Sequence, residues 1–171
     1  MLFRSDTLVA EEDASELVFM FPGQGSQYAN MGAGLYAKES AFREAVDQCA
    51  ELLLALSGED IRTVIFSDTE KIHQTRYTQP ALFITEYALA KLWMSWGLKP
   101  AILCGHSIGE FAAAHLAGIF SLQDALKLVS ERARLVSELP EGSMLAVKIS
   151  AAELEKILPA TLSIAAINSK E

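Results

Sequence analysis

A chain of 171 residues, of which 51% are hydrophobic and 21% charged, is long enough to bury one sizeable core. Its 14 basic and 22 acidic residues give a net charge of −8 without a cluster of lysine and arginine, which argues against a nucleic-acid partner. Residues 1–16 are polar and acidic, and no apolar run is long enough to span a bilayer. We therefore expect a cytoplasmic globular protein that makes no contact with a membrane.

The first predicted element is a strand at residues 16–22, an unbroken apolar run of the kind found in strands buried on both faces. A proline and a glycine end it. The loop that follows, residues 23–27, could cradle a ligand with its backbone N–H groups, although an ordinary glycine-rich turn has the same composition. A helical periodicity then begins near Phe42 and ends at Gly58.

A second helix is predicted to begin with Pro80 in its first turn and to end at Gly97. Residues 101–104 form the next predicted strand, and an alanine-rich helix suited to close packing on a sheet follows it. Strands that alternate with helices predict a parallel α/β sheet flanked by helices.

The two cysteines are expected to be small buried hydrophobic side chains. Cys49 lies on the apolar stripe of the first long helix, and Cys104 ends the second predicted strand. No cysteine and histidine spacing typical of a metal site is found, so we expect no metal.

A capping box from Ser121 to Asp124 predicts another helix. The apolar stripe predicted for it consists of Ala125, Leu128, Val129 and Val136. Arg132 lies on the same stripe, where a charge is costly unless an acid or an anionic ligand pairs with it. Its planar guanidinium could bind a carboxylate through two hydrogen bonds. An internal ion pair with Glu110 or Glu86, or a side chain that reaches solvent, would explain the position equally well.

The C-terminal part of the chain follows a strand–helix–strand pattern, with strands at 144–149 and 162–167 and a helix at 151–158. This unit predicts the start of a smaller, ferredoxin-like subdomain. The predicted organisation is an N-terminal extension or linker at 1–16, an incomplete large subdomain at 17–141, and an incomplete small subdomain at 142–171.

The sequence Gly-His-Ser-Ile-Gly at residues 105–109, between a predicted strand and a predicted helix, has the pattern of a nucleophile elbow. Ser107 would then be the nucleophile. Its oxyanion would be stabilised by the backbone N–H of Ile108 and by a second N–H from the 23–27 loop, for which we select Gln24. A tight turn with a capping serine is the alternative interpretation.

The histidines offer no obvious general base. His106 adjoins the serine and should point away from it, His115 lies about 12 Å further along the helix axis, and His73 falls in a polar loop. The proton acceptor that a serine nucleophile needs is therefore not identified among them.

Taken together, three segments and one arginine resemble the malonyl-CoA:acyl-carrier-protein transacylase family, in particular the acyltransferase domains of modular polyketide synthases. The matching features are residues 21–27, 78–82 and 105–110, followed by Arg132. The resemblance implies a hydrolase-like large subdomain with an inserted ferredoxin-like subdomain.

The resemblance also implies the chemistry. Ser107 would carry the acyl group, and the N–H groups of Gln24 and Ile108 would form the oxyanion hole. The residues it places around the substrate are Arg132, which would hold the free carboxylate of a malonyl unit, His106, Gln79 and Asn168. No tightly bound cofactor is expected: acyl-CoA is the substrate, and the acyl carrier protein that receives the acyl group brings phosphopantetheine. A neighbouring ketosynthase domain is a further expected partner, and the isoleucine at 108 favours malonyl-CoA.

In that family the general-base histidine lies further along the chain than Glu171, so we expect this chain to be a truncated form that is inactive alone. Two alternatives to the acyltransferase are a serine esterase of the α/β-hydrolase type and an inactive fragment that acts only as a folding or interaction module.

Overall fold

The computed structural model describes residues 17–140 and 142–167. The chain divides into two compact units, one ending at Leu139 and the other beginning at Pro140. The elements of the first unit, in chain order, are β1 (Val18–Phe21), α1 (Ala33–Lys38), α2 (Ser40–Ser57), α3 (Ile61–Phe66), a 3₁₀ turn (Lys71–His73), α4 (Thr75–Ser95), β2 (Ile102–Gly105), α5 (Gly109–Leu116) and α6 (Leu122–Ser137). None of the described helices is both long and apolar enough to cross a membrane.

The two strands pair in parallel, with Val18 opposite Ile102 and Phe21 opposite Gly105. Helix α5 packs against both strands. Because the carboxyl ends of parallel strands lie at the same edge, the loop after β1 and the turn after β2 meet there. This edge positions the candidate site.

The expectation that the first strand is buried on both faces is wrong in the described structure. Phe21 is buried, but Val18 is exposed and Met20 is 77% exposed. Cys104, expected in the core, is exposed as well. The reason is that the sheet contains two strands in the part of the chain that is described, and its helices cover one face. The other face remains open to solvent.

Helix α4 forms the centre of the first unit and packs against α2, α5 and α6. It begins at Thr75, five residues before Pro80, so the predicted start of this helix is wrong. A proline inside a helix leaves one carbonyl without its N–H donor. That carbonyl belongs to Arg76, in the first turn of the helix. The hydroxyl of Thr78 bonds to the carbonyl of Ile72 at 2.7 Å and secures the preceding turn.

The helix predicted from Phe42 is confirmed as α2, and Gly58 ends it with a φ of 74°. This left-handed conformation favours glycine, and the Gly58 N–H bonds to the carbonyl of Leu54 at 2.9 Å. The side chains that α2 buries against the core are Phe42, Ala45, Val46, Cys49, Ala50 and Leu53.

Helix α6 begins as predicted, with the hydroxyl of Ser121 accepting a hydrogen bond from the N–H of Asp124 at 3.1 Å. Its buried face is rotated from the predicted stripe. The buried residues are Ala125, Leu126, Val129 and Ala133, whereas Leu128 and Val136 are exposed. Small alanines let α6 approach α4 closely, and Arg132 lies at the border of this face, half-buried.

The second unit contains α7 (Ala151–Ile157), which begins with a capping box between Ser150 and Glu153. The strands predicted at 144–149 and 162–167 are not formed in the described structure. A strand requires a partner for its backbone N–H and C=O groups, and these two segments do not pair with each other. Of the strand–helix–strand unit predicted as the start of a ferredoxin-like subdomain, the described structure contains only the helix.

Candidate active site

Ser107 lies on a sharp turn between β2 and α5 and is exposed. Its φ is 53°, in the left-handed region that side-chain-bearing residues rarely adopt. The glycines on either side are required by packing. A Cβ at Gly105 would collide with the backbone of Glu110, and one at Gly109 would collide with the carbonyl oxygens of Phe21 and Pro22. The turn therefore fixes the serine where β1, β2 and α5 converge.

The backbone N–H of Ile108, at the start of α5, has no acceptor among residues 17–140 and 142–167. The next N–H groups are taken within the turn, because Gly109 donates to the carbonyl of His106 at 3.0 Å and Glu110 to that of Ser107 at 3.1 Å. An unpaired N–H next to the serine, at the positive end of a helix, suits a negatively charged oxygen.

The loop at residues 23–27 lies against this turn. A Cβ at Gly23 would be 2.7 Å from Nδ1 of His106 and 3.3 Å from Cβ of Ser107, so a side chain at this position would require His106 to move. Two hydrogen bonds shape the loop from within: Ser26 Oγ to the Gly23 carbonyl at 3.0 Å, and the Gly25 N–H to Gln27 Oε1 at 2.7 Å. The N–H of Gln24 has no acceptor within the described ranges.

Side chains from the loop, α4 and α6 form one hydrogen-bonded chain. Thr75 Oγ1 donates to Oε1 of Gln24 at 2.9 Å, and Nε2 of Gln79 donates to Thr75 Oγ1 at 2.9 Å. Nη1 of Arg132 donates to Oε1 of Gln79. Gln79 is only 1% exposed, so its polar atoms are satisfied by these partners rather than by water.

Arg132 makes no salt bridge with any residue that the structure describes. The ion pairs with Glu110 or Glu86 that the sequence left open are not formed: Glu110 is exposed, and neither oxygen of Glu86 has a hydrogen-bond partner in the described part. The Arg132 guanidinium lies 5.9 Å from the ring centre of Phe111, one turn of α5 beyond Ser107. Most of its N–H donors remain available to a ligand.

None of the three histidines hydrogen-bonds to the Ser107 hydroxyl. The His106 side chain lies against Gly23, and the backbone N–H of His106 donates to the Phe21 carbonyl at 3.0 Å. His115 Nδ1 is 3.0 Å from the carbonyl oxygen of Phe120, and its ring packs 5.3 Å from that of Tyr87. His73 is exposed at the end of the 3₁₀ turn.

A sequence model of the acyl transferase domain matches residues 18–171. The chain belongs to the acyl transferase family. The predicted resemblance is thereby confirmed. A phenolphthiocerol/phthiocerol polyketide synthase protein of Mycobacterium tuberculosis is 41% identical over 167 residues, which make up 95% of this chain and 11% of that protein. The mycoketide-CoA synthase of the same organism is 43% identical over 157 residues, 91% of this chain and 4% of that protein.

Solved structures of acyltransferases share this fold. The acyl transferase domain of ZmaA is 44% identical with a TM-score of 0.81, over 88% of this chain and 36% of that one. The malonyl CoA-acyl carrier protein transacylase from Clostridium perfringens is 29% identical with a TM-score of 0.73, over 84% of this chain and 46% of that one. The chain thus spans less than half the length of either protein.

Thr75 and Phe111 were not singled out from the sequence of this acyltransferase chain. Each lies about one helical turn from a predicted site residue. Thr75 is four residues before Gln79, and Phe111 is four residues after Ser107. That spacing could have indicated both. Asn168, predicted near the substrate, lies outside the described residues. Among the residues that the structure does describe, no group of three or more metal-binding side chains is found.

Proposed function

We propose that the chain carries the nucleophile and the carboxylate-binding arginine of an acyltransferase that moves a malonyl-type group from coenzyme A to an acyl carrier protein in polyketide biosynthesis. The observation that carries this proposal is the exposed Ser107 on its strained turn, joined through the 23–27 loop and α4 to an Arg132 that lacks an acidic partner among the described residues. Relatives named as polyketide synthases and as malonyl CoA-acyl carrier protein transacylases support it.

In the proposed reaction, Ser107 Oγ attacks the thioester carbonyl of acyl-CoA. The new C–O bond forms, the C–S bond breaks, and the serine proton passes through a base to the sulfur of the departing coenzyme A. The phosphopantetheine thiol of the carrier then attacks the Ser107 ester, and its proton returns to the serine oxygen by the same route. We propose that the base is a histidine of the full-length protein other than the three in these 171 residues, because none of those three bonds to the Ser107 hydroxyl.

The backbone N–H groups of Ile108 and Gln24 are proposed to stabilise the tetrahedral oxyanion in both steps. Both groups lack an acceptor within the described residues, and the loop that carries Gln24 approaches Ser107 through Gly23. Fixed donors aimed at a developing negative charge lower the activation barrier, typically by about 3 kcal/mol for one donor.

Arg132 is proposed to hold the free carboxylate of the substrate. The Gln79 oxygen takes one donor of the guanidinium and orients the rest, and Phe111 supports its face. A carboxylate can accept two parallel hydrogen bonds from the remaining donors, which favours malonyl-type over acetyl-type substrates. His106 and Asn168 are proposed to border the acyl group. No tightly bound cofactor is required, and a ketosynthase domain is the proposed neighbour.

The test is acyl loading of the full-length protein with radiolabelled malonyl-CoA. Label is expected on the wild-type protein and on the control Ser137→Ala, an exposed serine at the end of α6, but not on Ser107→Ala. Persistent label on Ser107→Ala would overturn the proposal.

Hydrolysis of p-nitrophenyl butyrate, measured in parallel, separates the acyltransferase from a serine esterase. Rapid ester hydrolysis without transfer to a carrier protein would favour the esterase. A wild-type protein that is neither labelled nor hydrolytic would favour the inactive module.

A further inference from the structure

The donors and acceptors in the chain from Arg132 to Gln24 can be arranged in only one direction. A guanidinium donates and never accepts, so Gln79 must present Oε1 to Arg132 and its amide Nε2 to Thr75. The oxygen of Thr75 is then the acceptor for Gln79. Its single proton is left for Oε1 of Gln24, at 2.9 Å. The arginine thus determines the orientation of each group as far as the loop.

The loop at residues 23–27 depends on this last bond. Gln24 is exposed, and the glycine on each side of it leaves the backbone free to rotate, with Gly25 at a φ of 119°. The other two hydrogen bonds of the loop are internal to it. Within residues 17–140 and 142–167, the bond from Thr75 is the only hydrogen bond that ties the loop to another element.

We infer that Thr75 is a positioning residue that holds the Gln24 loop against Ser107, and so connects the carboxylate-binding arginine with the oxyanion hole. The inference rests on the proposed function and adds a residue to it. Thr75 itself touches neither the acyl group nor the serine. Its effect is exerted on the N–H of Gln24, which serves a thioester carbonyl whether or not the acyl group carries a carboxylate.

This role predicts a characteristic kinetic pattern. Loss of the Thr75 hydroxyl should lower kcat for malonyl and acetyl loading alike and leave KM for the acyl-CoA unchanged, since the oxyanion exists only in the transition state. A residue that merely supported Arg132 would impair malonyl loading selectively, and a residue needed only for folding would lower thermal stability.

The experiment compares three variants of the full-length protein in the rate of Ser107 acylation. Thr75→Val, which keeps the shape and removes the hydroxyl, is expected to lower kcat roughly five- to tenfold for both substrates. Thr75→Ser should restore it. Thr85→Val is the matched control, because its hydroxyl lies on the same helix and bonds only to the carbonyl of Ala81 at 2.9 Å. Wild-type kcat in Thr75→Val would overturn the inference.

A second variant keeps the test decisive if Thr75→Val fails to fold. Gln24→Ala retains the backbone N–H but removes the side-chain acceptor at an exposed position. It should show the same loss as Thr75→Val, and the double variant should be no worse than either. Additive losses would contradict a shared hydrogen bond. Failure of the wild-type protein to label on Ser107 would instead overturn the proposed function, so the two failures are distinguishable.

Discussion

Arg132 on α6 and Gln79 on α4 are 53 residues apart in sequence and are joined by a hydrogen bond from Nη1 to Oε1. The amide supplies an acceptor without a charge, so this bond leaves the positive charge of the guanidinium in place. A salt bridge at this point would have competed with an anionic substrate. The pairing therefore both orients the arginine and leaves it able to bind a carboxylate.

Replacing Arg132 with alanine should separate the two classes of substrate. We expect kcat/KM for malonyl-CoA to fall roughly 10- to 100-fold, the loss typical of a charge-assisted hydrogen bond, with acetyl-CoA spared. Arg134→Ala is the control, since Arg134 forms exposed ion pairs with Glu131 and Glu138. Steady-state transfer assays on the full-length protein measure this, and equal losses for both substrates would contradict the role of Arg132.

Gly109→Ala should disrupt the turn that carries Ser107. The added Cβ meets the carbonyl oxygens of Phe21 and Pro22, which are backbone atoms that cannot rotate away. We expect the free energy of unfolding to fall by about 3 kcal/mol, the upper end of the usual cost of overpacking. The control is Gly34→Ala, at an exposed helical position with open space around it, which should gain about 0.5–1 kcal/mol. Urea unfolding measures the free energy of unfolding of both variants. Similar values would show that the contact of Gly109 with the Phe21 and Pro22 carbonyls does not require glycine.

Glu86 makes the stability of the 171-residue chain depend on pH. Burial raises the pKa of this carboxyl from its ordinary value of 4.5 to about 8. Between these values the folded chain holds more protons than the unfolded chain, so the free energy of unfolding falls as pH rises through this range and levels off above the folded pKa.

Glu86→Gln should remove that decline and stabilise the chain at pH 8 by more than about 1 kcal/mol. Thermal unfolding measured from pH 5 to pH 8 tests it, with Glu51→Gln on the exposed side of α2 as the control for loss of one carboxylate. If stability depends on pH in the same way in the wild-type chain and in Glu86→Gln, the ionised Glu86 carboxylate is stabilised by a hydrogen bond or an ion pair, and the prediction is wrong.

The two cysteines should differ in reactivity. Cys49 is fully buried, and burial raises the pKa of its thiol to about 12, whereas Cys104 is exposed on β2. A thiol reagent such as Ellman's should therefore modify one cysteine in the folded chain and two in urea. Mass spectrometry after proteolysis should assign the fast site to Cys104, and Cys104→Ala should leave no fast phase. Rapid modification of Cys49 would contradict the packing of α2.

The features that the sequence predicted well are local. Helix α2 with Gly58 at its end, the start of α6 at Ser121, and the turn around Ser107 depend on residues within a few positions of one another. Periodicity, capping and glycine placement report such neighbours directly. These features of the fold and the candidate nucleophile can therefore be predicted from the amino-acid sequence alone.

The features that were missed depend on distant partners. Periodicity indicated that α6 is amphipathic but not that Leu126 and Ala133, rather than Leu128 and Val136, face the core. The exposure of Met20 depends on how many strands flank β1, which a single strand does not encode. Thr75 resembles an ordinary residue at a helix start, and only the folded chain shows what its hydroxyl bonds to.

The left-handed backbone at position 107 has a consequence for anyone who engineers this protein. A serine there bears a conformational cost of about 1–2 kcal/mol, and glycine, which avoids it, has no hydroxyl. Selection for heat resistance alone would therefore favour the loss of the Ser107 hydroxyl, the proposed nucleophile. A stabilisation programme should hold this codon constant and seek its gains at open helical sites such as Gly34, where no such conflict exists.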